Sequence, residues 1–539
     1  MAMQAGGQQT GQPIYVLKEG AQRYLGKDAR MMNIMAGRVI SEAVKSTMGP
    51  KGMDKMLVDA TGDAVITNDG ATILKEVDVK HPAAKMMVDI AKTVEKEVGD
   101  GTTAAVVIAG ELLKRAEELL DQNIHATVVV KGYRMAADEA TKILEKLSKK
   151  VAAADKNTIK KVAITALNSK APGITAKEHL ADLATGAAYV VAEKIGKDVV
   201  VDKNNIKIQK RVGASTGESE LVKGIVIDKE RAQESMPTSI KNAKIALLNV
   251  EMKIKKTETD AKVNITSPDQ LQAFLDEEEG AIREMIKDIK KTGANCLFCQ
   301  KSIDDLAEYL LAKEGILAVT SVSSDDMELL SKASGANIVT SIKDISKKDL
   351  GKASKVEEKK VAGGDLIFVE GCPNPKAVTL FVRGSTEHVV NEVERSLDDV
   401  ISVVKDTLED NRVVPGGGAT MMEVAKELNK FANKVGGREQ LAVREFATAM
   451  EVIPKTLAEN AGLDPIDSLI ALRAAHEKGN KAAGINLSTG KPTDMYEMGI
   501  IEPFNMRAHT VNSATEVTTM ILRIDDVIAA KGALGGEEE

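Results

Sequence analysis

Along the first third of the chain, apolar residues recur at helical spacing. Across 85–98, Met86, Met87, Ile90, Val94 and Val98 repeat every few residues with Lys and Glu between them, the pattern of an amphipathic helix. The next run, 104–120, begins apolar on every side and ends amphipathic, with Arg115, Glu117 and Glu118 outward. A helix that is apolar all round is one buried in a bundle. Between them in texture lies 59–77, where two β-like runs, 65–67 and 72–74, flank "NDG". Asn, Asp and Gly tolerate positive φ, so that triplet predicts a tight hairpin turn inside a helical domain.

From about 202 to 376 the period changes. Strand-like runs at 244–250, 294–300, 315–322 and 335–342 alternate with helical stretches, which predicts a mixed or parallel sheet in a separate domain. Within it, 267–292 reads as a helix capped by Ser267, with Pro268 in its first turn and Gly293 at its end. Leu271, Phe274, Leu275, Ile282, Met285, Ile286 and Ile289 form its apolar stripe, and the charged segment 250–265 before it reads as an exposed excursion. After Pro375 come one strand and a long helix whose Val389, Val393, Leu397, Val400, Ile401, Val404 and Leu408 face inward. Helical texture then returns from about 411 to 530. Helices at both ends with α/β between predict one domain built from both termini, carrying the others as an insertion.

The 539 residues suffice for three or four domains at ~150 residues each. Hydrophobic residues make up 43% and charged residues 28%, with 73 basic and 80 acidic side chains well mixed, net −7. This balance argues against nucleic acid or an anionic membrane as the main partner. Aromatics are 2% with no Trp, which removes base-stacking platforms. No apolar run reaches the ~20 residues of a membrane span. The polar, Gly/Gln-rich start reads as a flexible arm without a signal-peptide core, hence a cytoplasmic protein, and "GALGGEEE" reads as a disordered tail. Cys296, Cys299 and Cys372 are odd in number, and "CLFC" lies in an apolar run without a second Cys/His pair; buried strand thiols are expected rather than zinc ligands.

Three Gly-rich turns carry the candidate chemistry: "TMGPKGMDK" at 47–55, "GDGTT" at 99–103 and "PGGGAT" at 415–420. A helix N-terminus offers unpaired N–H groups and partial positive charge to phosphate. Gly99 and Gly101 permit close backbone approach, and Asp100 could hold Mg²⁺, a hard cation suited to one carboxylate plus phosphate oxygens. The same "GDGTT" equally fits an αL turn and a Thr cap. G-x-x-x-x-G-K-[ST] is absent, excluding a Walker-type loop. Hydrolysis would also need a carboxylate to orient water. Asp69 in "TNDG" and the pair Asp398–Asp399 are the candidates, each equally readable as turn or solvated helix face.

In their order along the chain, "STMGPKGMDKMLVD", "ITNDGATILKE", "HPAAKMM", "VGDGTTAAVV", "VVPGGGATMMEVA", "LAENAGLDP" and "MGIIEP" resemble the group II chaperonins. The resemblance runs from about residue 23 to 526. It implies a multidomain chain with three parts. A mainly α equatorial domain with a small β-hairpin comes from 1–152 and 411–539. An α/β intermediate domain comes from 153–223 and 376–410. An α/β apical domain, 224–375, carries a helical protrusion at about 250–292. It implies an ATP-dependent chaperone whose subunits, alone or with sister chains, form two stacked rings of roughly eight or nine. Such rings encapsulate non-native proteins under a built-in lid closed by ATP hydrolysis.

The resemblance also assigns residues. Asp100 would be the Mg²⁺ ligand, and Gly101, Thr102, Thr103 and Ala104 would donate to the phosphates. Thr47, Met48, Gly49 and Pro50 would line the nucleotide, Gly417 the ribose and base, Glu502 the ribose and Asn486 the base. Asp69 and Asp399 would activate water, with Asp398 an alternative to Asp399, and Lys170 would sense the γ-phosphate. Two rival readings are a metabolic kinase using the same loops and a non-enzymatic assembly that binds nucleotide as a conformational ligand.

Overall fold

The computed structural model describes residues 22–58, 62, 64–170, 176–196, 198–253 and 268–529, with backbone alone at 22–23, 170, 268–278 and 529. The expected N-terminal arm, C-terminal tail, Ser267 cap and most of the excursion 250–265 lie outside the described residues.

Apolar side chains gather around three centres. The first is a helical bundle drawn from both chain ends. Helices α1 (Gly26–Lys45), α2 (Gly70–Glu76), α3 (Pro82–Val98), α4 (Thr102–Asp121) and α5 (Ala126–Leu147) supply one half. Ile108, Leu112 and Leu113 of α4 are fully buried in it. Here the all-round apolar pattern at the start of α4 has its cause, since the helix is covered on every side.

The second centre lies around α6 (Lys156–Lys170) and α7 (Lys177–Val191). Its small sheet has Val378–Gly384 at the middle, parallel to Ile206–Val212 and antiparallel to Glu220–Val222.

The third is a mixed sheet in the order Leu317–Val319, Cys296–Cys299, Ser239–Leu248, Gly351–Val361, Gly364–Glu370, Gly224–Ile227. Its first three strands run parallel and the rest pair antiparallel. Helices α8 (Pro268–Thr292), α9 (Asp305–Lys313) and α10 (Ser324–Ser334) belong with it. Cys296 and Cys299, three apart on one strand, enter the cores on opposite faces of this sheet. They therefore cannot share one metal ion, and burial pushes the Cys296 thiol up to about 12.

Helix α11 (Glu387–Asp410) then crosses back from the second centre to the first. At ~1.5 Å per residue its 24 residues span about 36 Å. Thr386 caps its start and Asn411, at φ 58°, ends it in the left-handed conformation. The inward residues expected from its periodicity are buried, Val389 only partly. The second half of the bundle follows as α12 (Ala419–Ala432), α13 (Glu439–Met450), α14 (Val452–Asn460), α15 (Pro465–Glu477) and α16 (Phe504–Leu522). Two small sheets bind the two halves of the chain: Gln22–Leu25 with Asp526–Ala529, and Arg412–Pro415 with both Ile501–Pro503 and Lys149–Lys150.

Two local expectations need correction. The hairpin exists, but it pairs Lys55–Val58 with Ala64–Thr67, and "NDG" is not its turn. Asp69 is instead the N-cap of α2, accepting from Thr72 N at 2.9 Å. Residues 72–74 are therefore helical, because a cap side chain that satisfies the first-turn N–H groups outweighs the β tendency of Thr and Ile. The second correction concerns "TMGPKG", which follows the end of α1 instead of opening a helix.

The bundle closes on Tyr133 of α5 and Phe446 of α13, edge to face with ring centroids 5.6 Å apart. Both are fully buried, and they join halves of the bundle more than 300 residues apart in sequence. Phe446→Ala is expected to cost about 3–5 kcal/mol, read as a lowered denaturation midpoint of the purified chain.

Candidate functional site

Gly99 ends α3 at φ 73° and Gly101 starts α4 at φ 85°, both in the left-handed region. No side chain fits at either position. A Cβ on Gly99 would fall 2.1 Å from Ser402 Cβ of α11, and one on Gly101 2.7 Å from Thr510 Oγ1 of α16. Gly70 meets the same helix from another side, where a Cβ would lie 2.4 Å from Thr103 Oγ1. Close packing of these backbones presents the N-terminus of α4 to a cavity of about 520 Å³. Asp100 lines it, its Oδ1 accepting from Gly101 N at 2.6 Å.

That cavity gathers residues from four distant stretches: Thr47–Pro50, Asp100 with Gly101, Thr103 and Ala104, then Gly417, and finally Asn486 with Glu502. The expectation from three unconnected glycine turns thus meets a single space. Gly49 has φ 83° and packs on Leu457, where a Cβ would sit 2.4 Å from Cδ2. Gly417, at φ 58°, packs on Met495, and its carbonyl accepts from Ile485 N at 3.0 Å. Thr102 is 1% exposed and not on the cavity wall, so of the two threonines only Thr103 faces it. Lys170 ends α6, and its side chain lies outside the described residues.

Asp69 and Asp399 are brought together, but around a second cavity of about 390 Å³ that also contacts Thr72, Glu95 and Arg395. The two neighbouring aspartates on α11 differ. Asp399 is 9% exposed, whereas the Asp398 side chain is half exposed and paired with Lys203 Nζ at 2.6 Å. Between the cavities runs the turn Asn68–Asp69, its first residue on the larger space and its second on the smaller.

Four positioning side chains escaped the sequence reading. Arg507, one turn beyond Glu502 and on the cavity wall, forms a bidentate pair with its carboxylate. Asn460 Nδ2 donates to the carbonyls of Met48 and Lys45 at 2.9 and 3.1 Å, clamping the end of α1. His476, fully buried, bridges Glu423 at 2.7 Å and the Ala483 carbonyl at 2.8 Å, which anchors the strand leading to Asn486. Asp406 of α11 accepts from Asn505 Nδ2 at 3.0 Å. Only Arg507 left a trace in the sequence, as the first charge on an otherwise neutral helix start.

Among the described residues there is no group of three or more His, Cys, Asp or Glu that could hold a metal. The donor set fits Mg²⁺ on other grounds, since that ion takes one or two carboxylates and completes its shell with water and substrate phosphates. Also among the described residues, no helix is long and apolar enough to cross a membrane.

Residues 40–532 match the model of the TCP-1/cpn60 chaperonin family. The chain is 55% identical to a thermosome subunit of Desulfurococcus sp. (strain SY) over 523 residues, 97% of this chain and 96% of that one. It is 54% identical to thermosome subunit beta of Thermococcus kodakarensis over 539 residues, covering 99% and 98%. Against thermosome subunit alpha of Archaeoglobus fulgidus it is 55% identical over 538 residues, 98% of each.

Burial raises the Asp406 carboxyl from 3.8 to about 6, with Asp410 and Glu409 adding to the rise and the Asn505 hydrogen bond opposing it. Folding then takes up a proton between those two values, so stability falls as pH rises from about 4 to 6 and stays lower above. Asp406→Asn keeps an acceptor for Asn505 and removes the titration. Relative to wild type it should gain up to about 3 kcal/mol at pH 7.5 and nothing at pH 4, measured by chemical denaturation at both pH values.

Proposed function

The chain belongs to the TCP-1/cpn60 chaperonin family and serves as a protein-folding chaperone; we propose that it does so as an ATPase whose subunits form two stacked rings closing over a non-native protein. The observation that carries the reading is the convergence of the three glycine turns and Asp100 on one cavity. In this reading the bundle is the equatorial domain, from 1–152 and 411–539. The second centre is the intermediate domain, 153–223 with 376–410, and the mixed sheet is the apical domain, 224–375, with its protrusion at about 250–292. Exposed Met56, Val58 and Ile66 on the hairpin, Met53 just before it, and Leu25 and Ile528 on the terminal strand pair support assembly, since apolar side chains clustered on a surface mark contact sites.

The N–H groups at the start of α4 and the backbone of Thr47–Pro50 would hold the ATP phosphates, as aligned, preorganised donors do at helix N-termini. Glu502, already oriented by Arg507, would accept from the ribose, and Gly417 and Asn486 would flank ribose and base. Asp100 would hold Mg²⁺, which when bound neutralises charge on the phosphate oxygens. Asp399 and Asp69 would orient the attacking water and take its proton, with Lys170 reporting the terminal phosphate to the intermediate domain. For the two cavities to act as one site, the α11 face bearing Asp399 must move toward α4. Closing motions of this kind run on the order of microseconds to seconds.

Electron microscopy of the purified chain, with and without ATP and Mg²⁺, tests the assembly. Double rings open without nucleotide and closed during turnover are expected; monomers or small dimers in both conditions overturn the reading. Asp399→Ala should lower kcat by about 10²–10⁴-fold while ADP binding, followed by calorimetry, stays intact.

A further inference from the structure

We infer that Asn68 is a further catalytic residue, touching the terminal phosphoryl group of ATP and the water that attacks it. The inference rests on the ATPase reading above and adds to it a residue that the sequence patterns did not single out.

Asn68 is only 4% exposed, yet neither its Nδ2 nor its Oδ1 has a hydrogen-bond partner. Buried side-chain amides are almost always paired, so one with both ends unpaired calls for a reason. Its neighbours show none of this. Thr67 Oγ1 accepts from Asp69 N at 3.1 Å, and Asp69 Oδ2 accepts from Thr72 N and Oγ1 at 2.9 and 2.8 Å. Those bonds fix the turn and leave the amide between them to point elsewhere. It lines the larger cavity with Asp100, Gly101 and Thr103.

The turn is also held where the chemistry would occur. Gly70 packs directly on Thr103, so the segment carrying Asn68 lies against the start of α4. Among polar side chains of the cavity, others are already engaged: Thr47 Oγ1 donates to the Val44 carbonyl at 2.8 Å, and Glu502 is paired with Arg507. An amide is suited to the task because it donates and accepts without charge. Nδ2 would donate to a non-bridging oxygen of the γ-phosphate, while Oδ1 accepts from the attacking water. The water oxygen forms its bond to phosphorus, the bond from phosphorus to the β,γ-bridging oxygen breaks, and the electron pair leaves with ADP. The water proton passes to the carboxylate of Asp399, and Asn68 itself gains and loses none. The turn would thereby join the cavities, with Asn68 on the phosphate and Asp69 beside the water-activating carboxylate.

The test compares the full-length chain with Asn68→Ala and Asn68→Asp in steady-state ATP hydrolysis, ADP binding by calorimetry and thermal unfolding without nucleotide. Asn68→Ala should lower kcat about 10²-fold, as loss of one preorganised donor does, with ADP affinity within about twofold. Its unfolding midpoint should be unchanged or a few degrees higher, because an unpaired buried amide is removed. Asn68→Asp, of the same shape, should also lose turnover and bind ATP more weakly than ADP, since its charge faces the γ-phosphate. Turnover of Asn68→Ala within twofold of wild type overturns the inference. So does a lowered midpoint with ADP and ATP affinity lost together, which marks a structural role. Should the alanine variant not assemble, normal turnover by Asn68→Asp has the same force. If the unaltered chain hydrolyses no ATP, the ATPase reading itself fails and this inference falls with it.

Discussion

The site depends on backbones that touch. The N-terminus of α4 is wedged among α11, α16 and the turn before α2, at positions where Gly99, Gly101 and Gly70 have no Cβ to keep their neighbours apart. Adding one carbon at any of the three would push against Ser402, Thr510 or Thr103, all within 2.7 Å of where it would stand. Interiors are packed too densely to absorb such a shift without moving the helices themselves. The left-handed φ at Gly99 and Gly101 reinforces the constraint, since other residues pay to adopt it. The αL-turn reading of "GDGTT" is thus correct, and it does not compete with the phosphate reading. The turn that ends one helix and starts the next is also what exposes the N–H groups.

Helix α11 is the element through which the parts communicate. Its buried face packs in the second core from Val390 to Leu408, its middle carries Asp399 on the smaller cavity, Val403 reaches the larger one, and Asp406 bonds to Asn505 at the start of α16. A rigid helix touching two cavities, the second core and the start of α16 cannot tilt without altering all four contacts. That gives the proposed hydrolysis a physical route from the cavities to the second core that needs no longer pathway. Asp398, one residue from Asp399, also lines the smaller cavity, but the 100° step of the helix leaves it half exposed and paired with Lys203.

Much of this was legible along the chain. Periodicity located α3, α4 and α11 and the strands around 244–250 and 294–300, because burial of a stripe or a face is written directly in residue order. It also showed a helical domain split between the ends. It failed at "NDG", where local preference for a turn was real but the turn was used to cap a helix. The competing interaction, Asp69 with Thr72, lies only three residues away, yet nothing in the pattern ranks it above a hairpin.

What the sequence alone determined is the set of elements and the chemistry on offer: glycines where backbones must approach, carboxylates near them, thiols in an apolar strand. What only the tertiary structure decided is which of these meet. Asn460 reaching Met48, His476 bridging to Glu423, and Asn68 sharing one cavity with Asp100 and Gly417 all join segments far apart in the chain. Hydrophobic burial acts on faces and so leaves a periodic trace, whereas a hydrogen bond between residues hundreds apart depends on a few ångströms of packing that no one-dimensional pattern encodes.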